Sequence, residues 1–131
     1  MVPHQDSTFL HTSPLTTLGF WVPLEACSKQ NGCLWVVPGS HHSGLATRWV
    51  RSTTGMRFTG TAANLPPDSY IPVEIDAGTL VLIHGELVHR SDENRAAVSR
   101  HAYTWHVINS NAEYDELNWL QPTAQLPFPP L

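Results

Sequence analysis

At 131 residues the chain has room for one domain, and its 41% hydrophobic content supports a modest core. Seven Lys and Arg against eleven Asp and Glu leave a net charge of −4 with no basic stripe, which argues against nucleic acid as a partner. No apolar run approaches the ~20 residues that a transmembrane helix needs, so a membrane-spanning helix is not expected.

No stretch keeps a helical period. Eleven prolines and eight glycines break the sequence into short apolar runs, which reads as all-β. Strands are predicted over 4–11, 18–25, 33–37, 70–75, 79–84, 86–90 and 99–108. The first opens with His4-Gln5-Asp6. On a strand, side chains at i and i+2 share a face, so His4 and Asp6 can grip one metal ion. The second strand carries Trp21, read as a core aromatic. Asn31-Gly32 is a hairpin turn signal between two apolar runs. Cys33 is expected as a small buried thiol. Cys27 lies too far from it for a zinc-finger spacing, and no disulfide is expected. Pro38-Gly39-Ser40 forms another turn, and His41-His42 behind it read as capping or solvated loop histidines rather than a second metal site.

Residues 51–69 are rich in Gly, Thr and Pro and are predicted as a long loop. Asp76-Ala77-Gly78 punctuates entry to the most apolar strand, Thr79–Ile83. Two histidines follow, His84 and His89. An odd spacing puts them on opposite faces of an unbroken strand unless Gly85 and Glu86 break the parity. A second imidazole from this distant strand would complete two imidazoles and one carboxylate, a ligand set that leaves open positions and suits non-haem Fe(II). In 99–108, Arg100, Ala102, Thr104 and His106 share one face, and Tyr103 and Trp105 the other. Arg100 pointing inward can bind a carboxylate bidentately, and the Tyr103/Trp105 face then points outward as an apolar patch suited to self-association. Near the end, Asn118-Trp119-Leu120 is expected to anchor the tail by burying an indole. Residues 121–131 read as an extended tail packed over the domain or frayed. Each motif alone has an ordinary structural explanation; their order within strand-like sequence is what points to chemistry. Many short strands with frequent turns define a sandwich, barrel or jelly roll.

HQDSTFL, NGCLWVVPGSHHSG, DAGTLVLIHGELVHRSDEN and SRHAYTWHV resemble the phytanoyl-CoA dioxygenase family over nearly the whole chain. The resemblance implies a double-stranded β-helix, the cupin-like jelly roll. It implies that His4, Asp6 and His89 ligate Fe(II), with His89 preferred over His84 because Ser91 and Asn94 follow it at the family's offsets. It implies that Trp21, Ser91 and Arg100 bind 2-oxoglutarate, and that O2 and an unidentified small molecule are the other reactants. The activity implied is oxidation of that substrate coupled to decarboxylation of 2-oxoglutarate to succinate and CO2. In the family His-x-Asp lies near mid-chain, so residues 1–131 are expected to be the C-terminal part of such a domain. An alternative is a truncated product that binds metal without turnover; a further one is a cupin-like binding module that uses zinc or no metal. A cytoplasmic location is the default expectation, since neither a signal region nor a peroxisomal address is found.

Overall fold

Residues 1–62 and 64–130 are described by a computed structural model, and among them ten short strands alternate with turns. They are β1 (Thr12–Ser13), β2 (Leu18–Pro23), β3 (Leu34–Val36), β4 (Thr47–Ser52), β5 (Gly55–Gly60), β6 (Ile71–Val73), β7 (Val81–His84), β8 (His89–Ser91), β9 (Ala102–Val107) and β10 (Glu113–Tyr114). Short 3-10 turns occupy Asp6–Thr8, Ser40–Ser43 and Pro67–Ser69. Among the described residues no helix is long and apolar enough to cross a membrane.

Two antiparallel three-stranded sheets carry the architecture, in the orders β7-β2-β9 and β6-β3-β8. Consecutive strands switch sheets: β2 is followed by β3 in the other sheet, and β7 by β8. This is the double-stranded β-helix, or jelly roll. The principal core lies between the sheets, where Trp21 of β2, Ile83 of β7 and Leu34 of β3 are buried with Cys27 and Cys33. Strand β2 shows why its sequence makes a strand with one buried face. Gly19, Trp21 and Pro23 are buried, whereas Leu18, Phe20 and Val22 are only partly so. On the other face of that sheet Phe20 pairs with Leu82 on one side and Trp105 on the other. The Phe20 and Trp105 rings stack at 4.9 Å, and Leu82 and Tyr103 remain 55% and 64% exposed. The sheet therefore carries an uncovered apolar face.

Several sequence expectations are corrected. Residues 4–11 do not form a strand: His4 makes an isolated bridge and the chain turns at Asp6–Thr8, where the Asp6 carbonyl accepts from the amides of Phe9 and Leu10. Asn31-Gly32 turns the chain, but no hairpin results, because β2 and β3 belong to different sheets. The buried Asn31 side chain closes the turn locally, accepting from Ser28 N and donating to Ala26 O. Part of the predicted loop at 51–69 is the second half of a hairpin, with β4 and β5 joined by Thr53-Thr54. Its signal is cross-strand rather than periodic: Trp49 sits opposite Phe58 with ring centroids 4.4 Å apart. The tail anchor is not the indole. Trp119 is 46% exposed, while Asn118 is 1% exposed and its amide both donates to His11 O and accepts from His11 N.

Candidate metal and co-substrate site

His4 and His89 are a hydrogen-bonded antiparallel pair, each amide donating to the other's carbonyl at 3.0 Å, with ring centroids 4.2 Å apart. The backbone thus holds two residues far apart in sequence side by side. Each imidazole is then oriented the same way. His4 Nδ1 donates to Val2 O and His89 Nδ1 to Leu87 O, both at 2.9 Å and both two residues back. A carbonyl only accepts, so Nδ1 carries the proton and Nε2 presents its lone pair. This is the outer partner that fixes the tautomer of a metal-binding histidine.

Asp6 reaches the same point from the 3-10 turn. Its Oδ1 lies 3.6 Å from Nε2 of His4 and 3.6 Å from Nε2 of His89. One donor atom from each of the three residues falls within 4.8 Å of the others. Donors around one ion at ~2.1 Å, set at right angles, stand ~3 Å apart, so the two Asp6 contacts at 3.6 Å need only a slight contraction to close on a metal. Gln5 secures the turn: its side chain donates to Gly44 O and Glu86 O and accepts from Ala46 N. Ser7 N donates to Gly85 O, an approach that a side chain at Gly85 would block through Ser7 Oγ and Thr17.

The second Asp6 oxygen is also engaged. His106 Nε2 of β9 stands 3.2 Å from Oδ2, leaving Oδ1 to face the histidines. Gly19, paired with His106 in the sheet, makes the space: a Cβ there would stand 2.8 Å from Asp6 Oδ2. Burial alone would raise the Asp6 carboxyl. The His106 contact and the charges of His89, His106 and His4 outweigh it and hold the carboxyl below its usual range. Burial is the largest influence on His89 and lowers it against the opposing pull of Asp6. An ionised carboxylate beside a neutral imidazole is the protonation pattern a divalent metal requires. Neither His106 nor Gly19 was assigned to the site from sequence, although strand alternation puts His106 on the face of Arg100.

Trp21 lies two residues beyond Gly19 on the same buried face of β2. The Arg100 guanidinium sits 5.7 Å from its ring centroid. Arg100 precedes β9 rather than belonging to it, and its buried Nε has no protein partner among the described residues. Ser91 pairs with Leu34 on the β8 face that carries His89. The structure thus brings His4, Asp6 and His89 together, sets Trp21 against Arg100, and leaves Ser91 two strand positions from His89. His84 is exposed. Its Nδ1 accepts from Glu86 N, which leaves the lone pair occupied. The His41 and His42 rings lie tilted with centroids 4.0 Å apart, and His41 approaches His84 at 5.0 Å. Among the described residues these three do not converge as metal donors.

A jelly roll with two imidazoles and one carboxylate converging between its sheets is the scaffold of a non-haem metal protein. The family model for phytanoyl-CoA dioxygenase (PhyH) matches residues 1–102, and the chain belongs to that family. It is 45% identical to phytanoyl-CoA dioxygenase domain-containing protein 1 of Rattus norvegicus over 98% of its own length and 46% of the rat protein. The chain therefore spans about half the length of the curated relatives it matches. Among solved structures it is similar to the non-heme alpha ketoglutarate dependent carbocyclase SnoK from nogalamycin biosynthesis, with TM-score 0.68 and 26% identity over 86% of this chain and 44% of SnoK. The epimerase SnoN, in complex with Fe3+, alpha ketoglutarate and nogalamycin RO, matches with TM-score 0.59 and 26% identity over 86% of this chain and 43% of SnoN.

Proposed function

We propose that this chain is the C-terminal part of an Fe(II)- and 2-oxoglutarate-dependent dioxygenase acting on a small molecule still to be identified. The observation that carries the reading is the convergence of His4, Asp6 and His89 in a fold that also sets Arg100, whose buried Nε has no protein partner among the described residues, against Trp21. Family membership and the iron and alpha ketoglutarate of SnoN support the same chemistry. The donor set fits the group. Two neutral imidazoles and one carboxylate on one side of an ion suit Fe(II) and leave positions for a co-substrate and O2. A buried N–H without a partner costs ~1–3 kcal/mol, and a carboxylate at Arg100 would satisfy it.

Bound iron would supply the oxidative chemistry; the protein's part is to hold and orient. His4 and His89 would offer Nε2, with Nδ1 tied to backbone carbonyls, and Asp6 would offer Oδ1 while His106 keeps Oδ2. Arg100, backed by Trp21, would seat the distal carboxylate of 2-oxoglutarate, and Ser91 would donate a hydrogen bond to the same co-substrate. The test is succinate formation that depends jointly on iron, oxygen and 2-oxoglutarate and disappears in His4→Ala and Arg100→Ala. Succinate formed without added iron, or unaffected by either substitution, ends this reading.

The uncovered Leu82–Phe20–Trp105 row supports a related proposal, that isolated chains pair with a second copy through this face. Sedimentation across a concentration series should show association that Leu82→Lys abolishes; a concentration-independent monomer rejects the idea. A cytoplasmic location belongs to the same proposal. The free, buried Cys27 and Cys33 accord with it, and fractionation of the tagged chain tests it.

A further inference from the structure

We propose that Glu25 is the positioning residue of the co-substrate arginine, holding Arg100 by gripping the residues on both sides of it. The inference rests on the reading of Arg100 as the seat of the 2-oxoglutarate distal carboxylate.

Arg100 lacks the usual means of being held in place. Its strand begins only at Ala102, and residues 92–101 run without regular structure before it. Nε finds no protein acceptor among the described residues, and the guanidinium lies 5.7 Å from the Trp21 ring centroid. A side chain so free of direct bonds takes its position from its backbone.

The backbone at Arg100 is clamped from β2. That strand ends at Pro23, which has no N–H to extend the ladder. Immediately beyond, Leu24 N donates to His101 O at 2.9 Å. The Glu25 carboxylate then continues the pairing with side-chain oxygens. Oε2 accepts from His101 N at 2.6 Å, and Oε1 accepts from Ser99 Oγ and from His101 Nδ1, each at 2.8 Å. Three charge-assisted bonds on Ser99 and His101 leave Arg100, between them, one direction in which to project. The carboxyl is pulled down to about 2, chiefly by the His101 and Ser99 side-chain bonds, so the grip is fully ionised at any ordinary pH. The carboxylate forms no ion pair with Arg100 among the described residues; it acts on the flanks alone.

The sign of the effect separates positioning from simple charge. Removing a negative group near a site for a dianion would tighten binding on Coulomb grounds. Loss of positioning weakens it. The probe is 2-oxoglutarate titrated calorimetrically into the Mn2+-loaded chain, which avoids turnover, with 2-oxobutyrate, lacking the distal carboxylate, titrated in parallel. Glu25→Gln should weaken 2-oxoglutarate about tenfold, the lower end of what outer-shell partners contribute, and leave 2-oxobutyrate unchanged. Ser99→Ala, which removes one of the bonds, should give a smaller loss of the same kind and keeps the test open should Glu25→Gln fold poorly. Arg100→Ala should abolish the preference for 2-oxoglutarate altogether. If Arg100→Ala removes the preference while Glu25→Gln and Ser99→Ala keep it, Glu25 is only a loop fastening and the proposal falls. If Arg100→Ala itself keeps the preference, the co-substrate reading of Arg100 falls, and the proposal with it.

Discussion

The two corners of the site are built by opposite means. At the metal corner every donor is fixed by a second bond: His4 and His89 through Nδ1 to carbonyls, Asp6 through Oδ2 to His106. At the proposed co-substrate corner Arg100 has a buried Nε without a protein partner among the described residues and a place ahead of its strand. The first corner is complete before anything binds. The second keeps a donor in reserve for an anion and takes its order from neighbours in sequence. Strand β2 joins them, with Gly19 beneath Asp6 and Trp21 beneath Arg100 on one buried face.

This contrast is broken most severely by removing a donor. Asp6→Ala should lower Mn2+ or Fe2+ affinity by more than about a hundredfold, beyond the range that outer partners command, and abolish 2-oxoglutarate binding that depends on the metal. Arg100→Ala should act at the other corner alone, weakening 2-oxoglutarate by roughly a hundredfold, the scale of one lost charge-assisted bidentate pair. Metal affinity should stay at the wild-type value. A joint loss of metal and co-substrate in Arg100→Ala would mean that the corners are not separately built.

His106→Ala should be milder, about tenfold in metal affinity, because Asp6 remains but its second oxygen is freed to swing. Gly19→Ala should act in the same direction, since its Cβ would stand 2.8 Å from Asp6 Oδ2 and 3.5 Å from His106 Cδ2. Competition against a metallochromic dye measures both. Wild-type affinity in His106→Ala would leave His106 as a bystander.

How much of this could be read in the sequence differs between the corners for a physical reason. His4-Gln5-Asp6 is legible as a ligand pair even though the strand argument behind it fails. The real device is a bridge at His4 followed by a 3-10 turn, and either geometry brings the two side chains together. The partners of Nδ1 are illegible because they are carbonyls, which every residue carries. Alternation assigns faces to Arg100, Tyr103 and Trp105, but the strand begins only at Ala102. The outward Tyr103 follows that parity, whereas Arg100 owes its place to Glu25, remote in sequence. The hairpin β4–β5, and the choice of Asn118 rather than Trp119 as the tail's buried anchor, are illegible for a related reason. A cross-strand Trp49–Phe58 pair and an amide bonded to His11 are contacts between distant residues, with no local period to betray them.

The smallest effect concerns acid. The Glu25 carboxyl has an ordinary value of 4.5 and is lowered to about 2 in the folded chain. A carboxyl lowered on folding stabilises the fold fully above its unfolded value and loses that contribution as pH falls through the folded one. The grip on Ser99 and His101 should therefore be constant above pH about 5 and dissolve between about 4.5 and 2. Compared by thermal midpoint, wild type and Glu25→Gln should differ by a fixed, small amount at neutral pH, and the gap should close only in that acid window. Asp6 also titrates below its usual range, so the wild-type curve alone mixes the two corners. The difference between the two curves isolates Glu25, because Asp6 is common to both. A gap that closes near neutral pH would tie the stabilisation to a histidine instead and remove the Glu25 carboxylate from the account of how Arg100 is held.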